Sequence, residues 1–188
     1  MSTPPSPPTL QRYGASDAEP LLDTLADVWA EAHAGHDDVA RAGFTPATLR
    51  RQITGHAQHE AFTLITAYAA GQIIGFGYGF RCSPDYWFGE RLLPHIEPRE
   101  AQTTTSLAGI CELAVRGGWQ GLGAGTRIHA GLLEALRAEW VSLLSMPGCE
   151  RPEQRLYRKL GYRYAGPYQA GADGPVLDLL LLRTGDAS

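Results

Sequence analysis

Cysteine is scarce in this chain: the three present, Cys82, Cys111 and Cys149, form no C-x-x-C pair. An odd count with no secretory signal reads as reduced thiols packed as small apolar residues, and a cytoplasmic location is the expectation. No run of Lys or Arg occurs, and the formal net charge is −4, which argues against a nucleic-acid-binding surface. No apolar stretch is long enough to span a membrane, and the Pro-, Ser- and Thr-rich start lacks both the basic residues and the apolar core of a signal peptide. Residues 1–8 are therefore read as a disordered tail and 9–188 as one domain. Internal repeats are absent. What is there is ordinary: 188 residues, 44% hydrophobic and 19% charged, enough for one sizeable core. Small molecules, or a second subunit, are the partners this composition favours.

Hydrophobic periodicity and capping residues give the elements. Leu10 to Tyr13 reads as a short strand. Asp17 offers an N-cap for a helix carrying Leu21, Leu22, Leu25, Val28 and Trp29 to about Ala34, and Thr45-Pro46 starts a second helix running to roughly His59. Phe62–Ala69 and Gln72–Arg81 form a hairpin about Ala70-Gly71. In its second strand Gly75, Gly77 and Gly79 alternate with Phe76, Tyr78 and Phe80, so one face is bare backbone open to a ligand or to a closely packed helix. Residues 82–105 read as an irregular loop, either a cover over a binding pocket or packing at a flank or dimer interface. Then follow a strand Ser106–Val115, a helix from Leu122 or Gly123 to about Glu139, a strand Val141–Met146, a short helix Pro152–Leu160 closed by Gly161, and a strand pair Tyr162–Tyr168 and Val176–Leu182. The last of these, nearly all apolar and read as exposed, would suit a homodimer.

The residues from Val115 to Gly125 carry the chemistry. A strand, a glycine turn and a helix N-terminus leave backbone N–H groups unpaired beside the positive end of the helix dipole, a site for an anion. Gly121, Gly123 and Gly125 clear the side chains that would hold a diphosphate away from those amides. A Walker-type loop needs a lysine before Thr126, and none is present. The spacing is G-x-G-x-G rather than the G-x-G-x-x-G of a dinucleotide turn, with Glu139 at a helix end rather than on a strand. A nucleotide triphosphatase and a dehydrogenase both fit badly.

The frame that fits is Gln-x-x-Gly-x-Gly, on Gln120, Gly123 and Gly125, after an apolar strand. It resembles motif A of the GNAT acetyltransferase superfamily. Leu156-Tyr157-Arg158-Lys159-Leu160-Gly161-Tyr162, some thirty residues on, is similar to that family's later L-Y-x-K-x-G-(F/Y) segment, and the likeness runs over residues 8–183. The resemblance implies an α/β fold, a single domain with a mixed, mostly antiparallel central sheet flanked by helices. It also implies an acetyl-CoA-dependent N-acetyltransferase acting on a primary amine of a small molecule or peptide. Two alternatives stay open: another acyl-CoA as donor, admitted beside the bare glycine face, or an inactive acyl-CoA-binding regulatory module.

By the same resemblance, the backbone of Leu113, Ala114 and Val115 pairs with the pantetheine arm, and a backbone N–H of Val115 or its neighbour polarises the thioester. The amides of Gln120, Gly121, Leu122, Gly123, Ala124, Gly125 and Thr126 receive the pyrophosphate. Tyr157 is the expected acid for the departing thiolate, its phenol being protonated at neutral pH. Glu112 is the one charge in an apolar strand, costly to bury without a task. Alternation puts it on the face of Ala114, opposite Leu113 and Val115. It reads as the base for the amine, as a group binding a cationic acceptor, or as a structural carboxylate. The family's N-x-x-A-x-x-L-Y frame is broken, since its first and fourth positions hold Glu150 and Glu153. No metal site is read from the histidines. His33 with His36, and His56 with His59 and Glu60, have ligand-like helical spacing but read as solvated or acceptor-facing, and His129 as a packing or surface residue.

Overall fold

Seven strands share one sheet in the order β1-β2-β3-β4-β5-β7-β6 in the computed structural model, which describes residues 7–148, 150–169 and 173–186. Residues 1–6 of the expected tail, and Cys149, lie outside the described residues. The strands are β1 (Thr9–Tyr13), β2 (Thr63–Ala69), β3 (Gln72–Cys82), β4 (Leu107–Val115), β5 (Trp140–Ser145), β6 (Arg163–Gln169) and β7 (Val176–Arg183). All neighbours run antiparallel except β4 and β5, which are parallel, so the mixed, mostly antiparallel sheet is as expected.

Local chemistry explains the elements that matched. Ala70 and Gly71 both take positive φ, 49° and 77°, as the tight turn joining β2 to β3 requires. The Thr45 side chain accepts from Thr48 N while Thr48 Oγ1 accepts from Thr45 N, a capping box that starts α4 (Pro46–His56).

The helical expectations need correction at three places. The first helix does not begin at an Asp17 cap: α1 (Ala15–Ala18) follows Gly14, and a 3₁₀ turn over Glu19–Leu21, with Pro20 in it, separates it from α2 (Leu22–Ala32). Pro lacks the N–H that a continuous helix needs, so the segment breaks there. A further helix, α3 (Asp37–Arg41), precedes α4. Residues 82–105 are not irregular: they hold α5 (Pro84–Leu92), which takes an internal kink at Gly89 (φ 68°), a 3₁₀ turn and α6 (Glu100–Thr103).

Helices cover both faces of the sheet. On one, α7 (Ala124–Leu136) buries Ile128, Leu132 and Leu136 together with Ile65, Ile110 and Val141 of the strands. On the other, Leu25, Val28 and Trp29 of α2 and Leu49 and Ile53 of α4 pack on Phe76, Tyr78 and Phe80. A third cluster joins Phe88 of α5 to Leu107, Trp140 and Leu179. Fully burying such side chains contributes about 1.5–3 kcal/mol each. The bare glycine face is one of these contacts: a Cβ on Gly77 would lie 3.0 Å from Ile128 Cγ2 and 3.1 Å from Leu132 Cδ1. It takes a helix, so it offers no space for a longer acyl chain. The apolar β7 is not an exposed edge either: it lies between β5 and β6, with Leu179 0% and Leu181 2% exposed, so its composition reflects internal burial rather than a dimer contact.

Candidate active site

β4 and β5 part halfway along their length. They pair only from Leu107 opposite Trp140 to Ile110 opposite Leu143, after which β5 continues with β7 alone. The cause lies on the other side of β4. Tyr78 pairs with Glu112 but Gly79 with Ile110, so Cys111 is an extra residue, a bulge that bends the strand. Gly79 makes the bulge possible, since a Cβ there would lie 2.4 Å from the carbonyl oxygen of Gly109. Beyond the bulge, Arg116 N donates to Ile74 O, which sets Ala114 and Glu112 in hydrogen-bonding register with β3. Leu113 and Val115 therefore turn their N–H and C=O groups into the parting. Of the three strand residues expected to pair with the pantetheine arm, Ala114 has its backbone committed to Phe76. The other two face the gap, where Leu113 N donates to Glu112 Oε1 (3.1 Å) and Val115 O accepts from Gln120 Nε2 (2.9 Å).

The glycine turn opens at the mouth of that gap. Gly121 and Gly123 sit at φ 75° and 86°, Gly123 as the N-cap of α7. Side chains rarely adopt that backbone, and glycine does so without penalty. The first helical bond runs from Arg127 N to Gly123 O, and the N–H groups of Gly121 through Thr126 donate to no acceptor among the described residues. Gln120 contributes differently from expectation. Its N–H bonds to Gly117 O and its side chain clamps the end of β4, so it shapes the turn. Gly125 needs no special backbone, and a Cβ there would make ordinary contacts with Leu156 and Val115. Arg116 fixes the approach, its Nε donating to Ile73 O at 3.0 Å and its guanidinium pairing with Glu31.

Parting, turn and α8 (Pro152–Lys159) line one cleft of about 1320 Å³. The buried Gln154 holds α8 in place by donating to Met146 O (2.9 Å) and Asp178 Oδ2 (3.0 Å). Tyr157 reaches the cleft from α8, 8% exposed, its ring edge-on to Tyr162 at 5.6 Å. Its hydroxyl has no hydrogen-bond partner among the described residues. Burial, then the charges of Glu112 and Glu153, raises its pKa, so the phenol carries its proton throughout the neutral range. Glu112, from β4, is half-buried in the opposite wall and accepts from Trp29 Nε1 at 2.9 Å as well as from Leu113 N. Burial raises its pKa, against the opposing influence of the nearby His33 and of these two bonds.

Trp29 was legible in the sequence only as a helix-face apolar residue, and its bond to Glu112 spans 83 residues of chain. His33 stacks on Trp29 at 4.2 Å and lines the cleft with His36 and His56. His59 instead stacks on Phe80 and meets the Tyr86 hydroxyl at 2.8 Å. Among the described residues no cluster of three or more His, Cys, Asp or Glu converges as metal ligands do. His129 is buried at 2%, its Nε2 2.9 Å from the Tyr162 hydroxyl, and burial lowers its pKa to about 4. Cys82 and Cys111 are free thiols, and burial pushes Cys82 up to about 12. At the broken family frame, Glu153 pairs with Arg151, which also reaches Asp38 at 2.7 Å, and the Glu150 carbonyl accepts from Arg155. A separate hollow of about 670 Å³ lies by Thr24, Tyr68 and Gly118.

A sheet split at a bulge, with the unpaired N–H groups of a helix N-terminus at the mouth of the split, is an arrangement with room for an extended, phosphorylated ligand as a further strand. Residues 24–162 match the sequence profile of the acetyltransferase (GNAT) family, and the chain belongs to that family. It is an acyltransferase, and acetyl-CoA is its cosubstrate. The fold is shared with a GNAT-family acetyltransferase from Desulfovibrio desulfuricans, 14% identical with a TM-score of 0.63 over 94% of this chain and 98% of that one. Ribosomal-protein-S18-alanine N-acetyltransferase from Escherichia coli is 16% identical, TM-score 0.59, over 94% and 93%. The PaiA N-acetyltransferase from Thermoplasma acidophilum, solved in complex with coenzyme A, is 12% identical, TM-score 0.58, over 97% and 99%. No curated protein matches the sequence. Among the described residues no helix is long and apolar enough to cross a membrane.

Proposed function

We propose that residues 9–188 form an N-acetyltransferase domain that moves the acetyl group of acetyl-CoA to a primary amine of a small molecule or peptide. The observation that carries the reading is the meeting, in one cleft, of unpaired N–H groups from Gly121 to Thr126, the open edge of Leu113 and Val115, Glu112 and Tyr157. These residues fit the cosubstrate. The turn amides take the pyrophosphate, each charge-assisted bond being worth about 1.5–3 kcal/mol. Leu113 and Val115 bond the pantetheine arm as β5 would. Arg155 and Lys159 of α8 line the same cleft and supply positive charge to the phosphates.

The chemistry follows from the remaining groups. Glu112, directly or through water, takes a proton from the acceptor's ammonium, freeing the nitrogen lone pair. That nitrogen attacks the thioester carbonyl carbon, whose oxygen is polarised by an N–H on the open edge; such a donor is typically worth about 3 kcal/mol. As the C–S bond breaks, Tyr157 gives its proton to the sulfur, and the second proton lost by the nitrogen returns, directly or through water, to the tyrosinate. Amide and free thiol are the products.

Thiol release from acetyl-CoA with a panel of amines and peptides tests this. Turnover that collapses in Tyr157→Phe while acetyl-CoA still binds is the expected result. Binding of acetyl-CoA without turnover of any amine would make the chain a binding module instead.

A further inference from the structure

We infer that the acceptor is a monoamine, one ammonium on an aromatic, otherwise uncharged body. This rests on the N-acetyltransferase reading, and its basis is the charge and ring inventory of the half of the cleft across from α8. Among the described residues the acidic side chains lining the cleft are Glu112 and Glu153, and Glu153 is spent on Arg151. Glu112 accepts hydrogen bonds from an indole N–H and a peptide N–H, both uncharged, with His33 nearby but not bonded to it, so the carboxylate has capacity left for a substrate ammonium. One carboxylate matches one ammonium. A polyamine or an aminoglycoside brings several positive charges that would lose water here without gaining partners.

Positive charge is equally restricted. Among the cations lining the cleft, Arg151 is neutralised by Asp38 and Glu153. Arg155 and Lys159 stand on α8, whose Leu156 packs by Gly125 of the phosphate turn, on the acyl-donor side. His56, 3.1 Å from the Tyr78 hydroxyl, has its pKa lowered by burial and then by His59, so it is uncharged at neutral pH. Among the described residues no Lys or Arg on the acceptor side is left to bind a carboxylate or phosphate, His33 and His36 being the basic side chains on that wall, and an amino acid with a free α-carboxylate would meet Glu112 with like charge.

The walls supply the rest. Phe44 and Trp87 line the acceptor side with His56 and with His33, which stacks on the buried Trp29, and the Trp87 ring is fixed by its N–H bond to Ser142 Oγ at 2.8 Å. Fixed rings reward an aromatic body by stacking and an ammonium by contact with their π faces.

The test compares phenethylamine with three relatives that each change one property: phenylalanine adds a carboxylate, butylamine removes the ring and spermidine adds charges. With acetyl-CoA saturating, phenethylamine should give kcat/KM about 100-fold above phenylalanine and spermidine, and about 10-fold above butylamine. Phe44→Ala should raise KM for phenethylamine about 10-fold while the Kd for acetyl-CoA, measured by calorimetry, stays put. Faster turnover of spermidine, phenylalanine or a peptide N-terminus would overturn this acceptor class and leave the acetyltransferase intact. Acetyl-CoA binding without turnover of any amine would overturn both the class and the enzymatic reading, and failure to bind acetyl-CoA would remove the site itself.

Discussion

Replacing Trp29 by Phe keeps most of the ring that packs between α2 and the sheet but removes the N–H that Glu112 Oε2 accepts at 2.9 Å. A hydrogen bond to a charged group is worth about 1.5–3 kcal/mol. At about 1.36 kcal/mol per pH unit, its loss raises the Glu112 pKa by roughly 1–2 units beyond where burial has already carried it. If Glu112 must be ionised to take the amine's proton, the acid limb of kcat/KM moves to higher pH by that amount. Activity at low pH falls about 10- to 100-fold, and the plateau at high pH, where Glu112 is ionised in both proteins, changes little. The stability change runs in a definite direction too. A carboxylate whose folded pKa lies above its unfolded value contributes stability below the unfolded pKa that is lost as pH rises through the folded one. Trp29→Phe should therefore lose more stability at pH 7 than at pH 4. The assay is thiol release against pH for both proteins at saturating acetyl-CoA. An acid limb that stays in place would refute Glu112 as the base and leave it a structural or acceptor-binding carboxylate.

Tyr157→Phe should lower kcat about 100-fold with little change in acetyl-CoA affinity. Because burial raises this phenol, the wild type should show no alkaline limb from it below about pH 10. Gly123→Ala places a side chain at φ 86° with nothing within 4 Å, so the loss is conformational: about 1–2 kcal/mol of strain, relieved by the turn moving its N–H groups out of line. Calorimetry should find acetyl-CoA binding about 10-fold weaker, and an unchanged Kd would count against the turn as the phosphate site. His129, neutral in the fold with its pKa lowered to about 4 from 6.5, should make stability fall as pH drops from about 6.5 toward 4, by on the order of 3 kcal/mol. Urea unfolding at pH 7.5 and 4.5 measures this, and His129→Leu should flatten the difference.

Features that one short stretch of residues determines could be read before the fold was known. The turn before α7 needs glycine where φ is positive, the α4 start needs Thr45 and Pro46, and the β2–β3 turn needs Ala70-Gly71. What depended on distant partners could not be read. No local pattern marks Cys111 as a bulge, because it arises from the register of β4 on β3 and from Gly79 leaving room for the Gly109 carbonyl. Trp29 became part of the site only through a residue far along the chain. Proline density hid α5, although Pro84 at its first turn is where helices accept proline. An apolar run such as that of β7 reads equally as an exposed strand or as one buried on both faces, and its place between β5 and β6 decides for burial.

The acyl carrier is proposed to sit in the parting of β4 from β5 and on the turn at its mouth. Titrating the labelled protein with coenzyme A while following backbone amide resonances tests it most directly. The largest shifts should fall on Leu113, Val115 and Gly121 through Thr126. Shifts confined to the hollow by Thr24, Tyr68 and Gly118, or none at all, would contradict it.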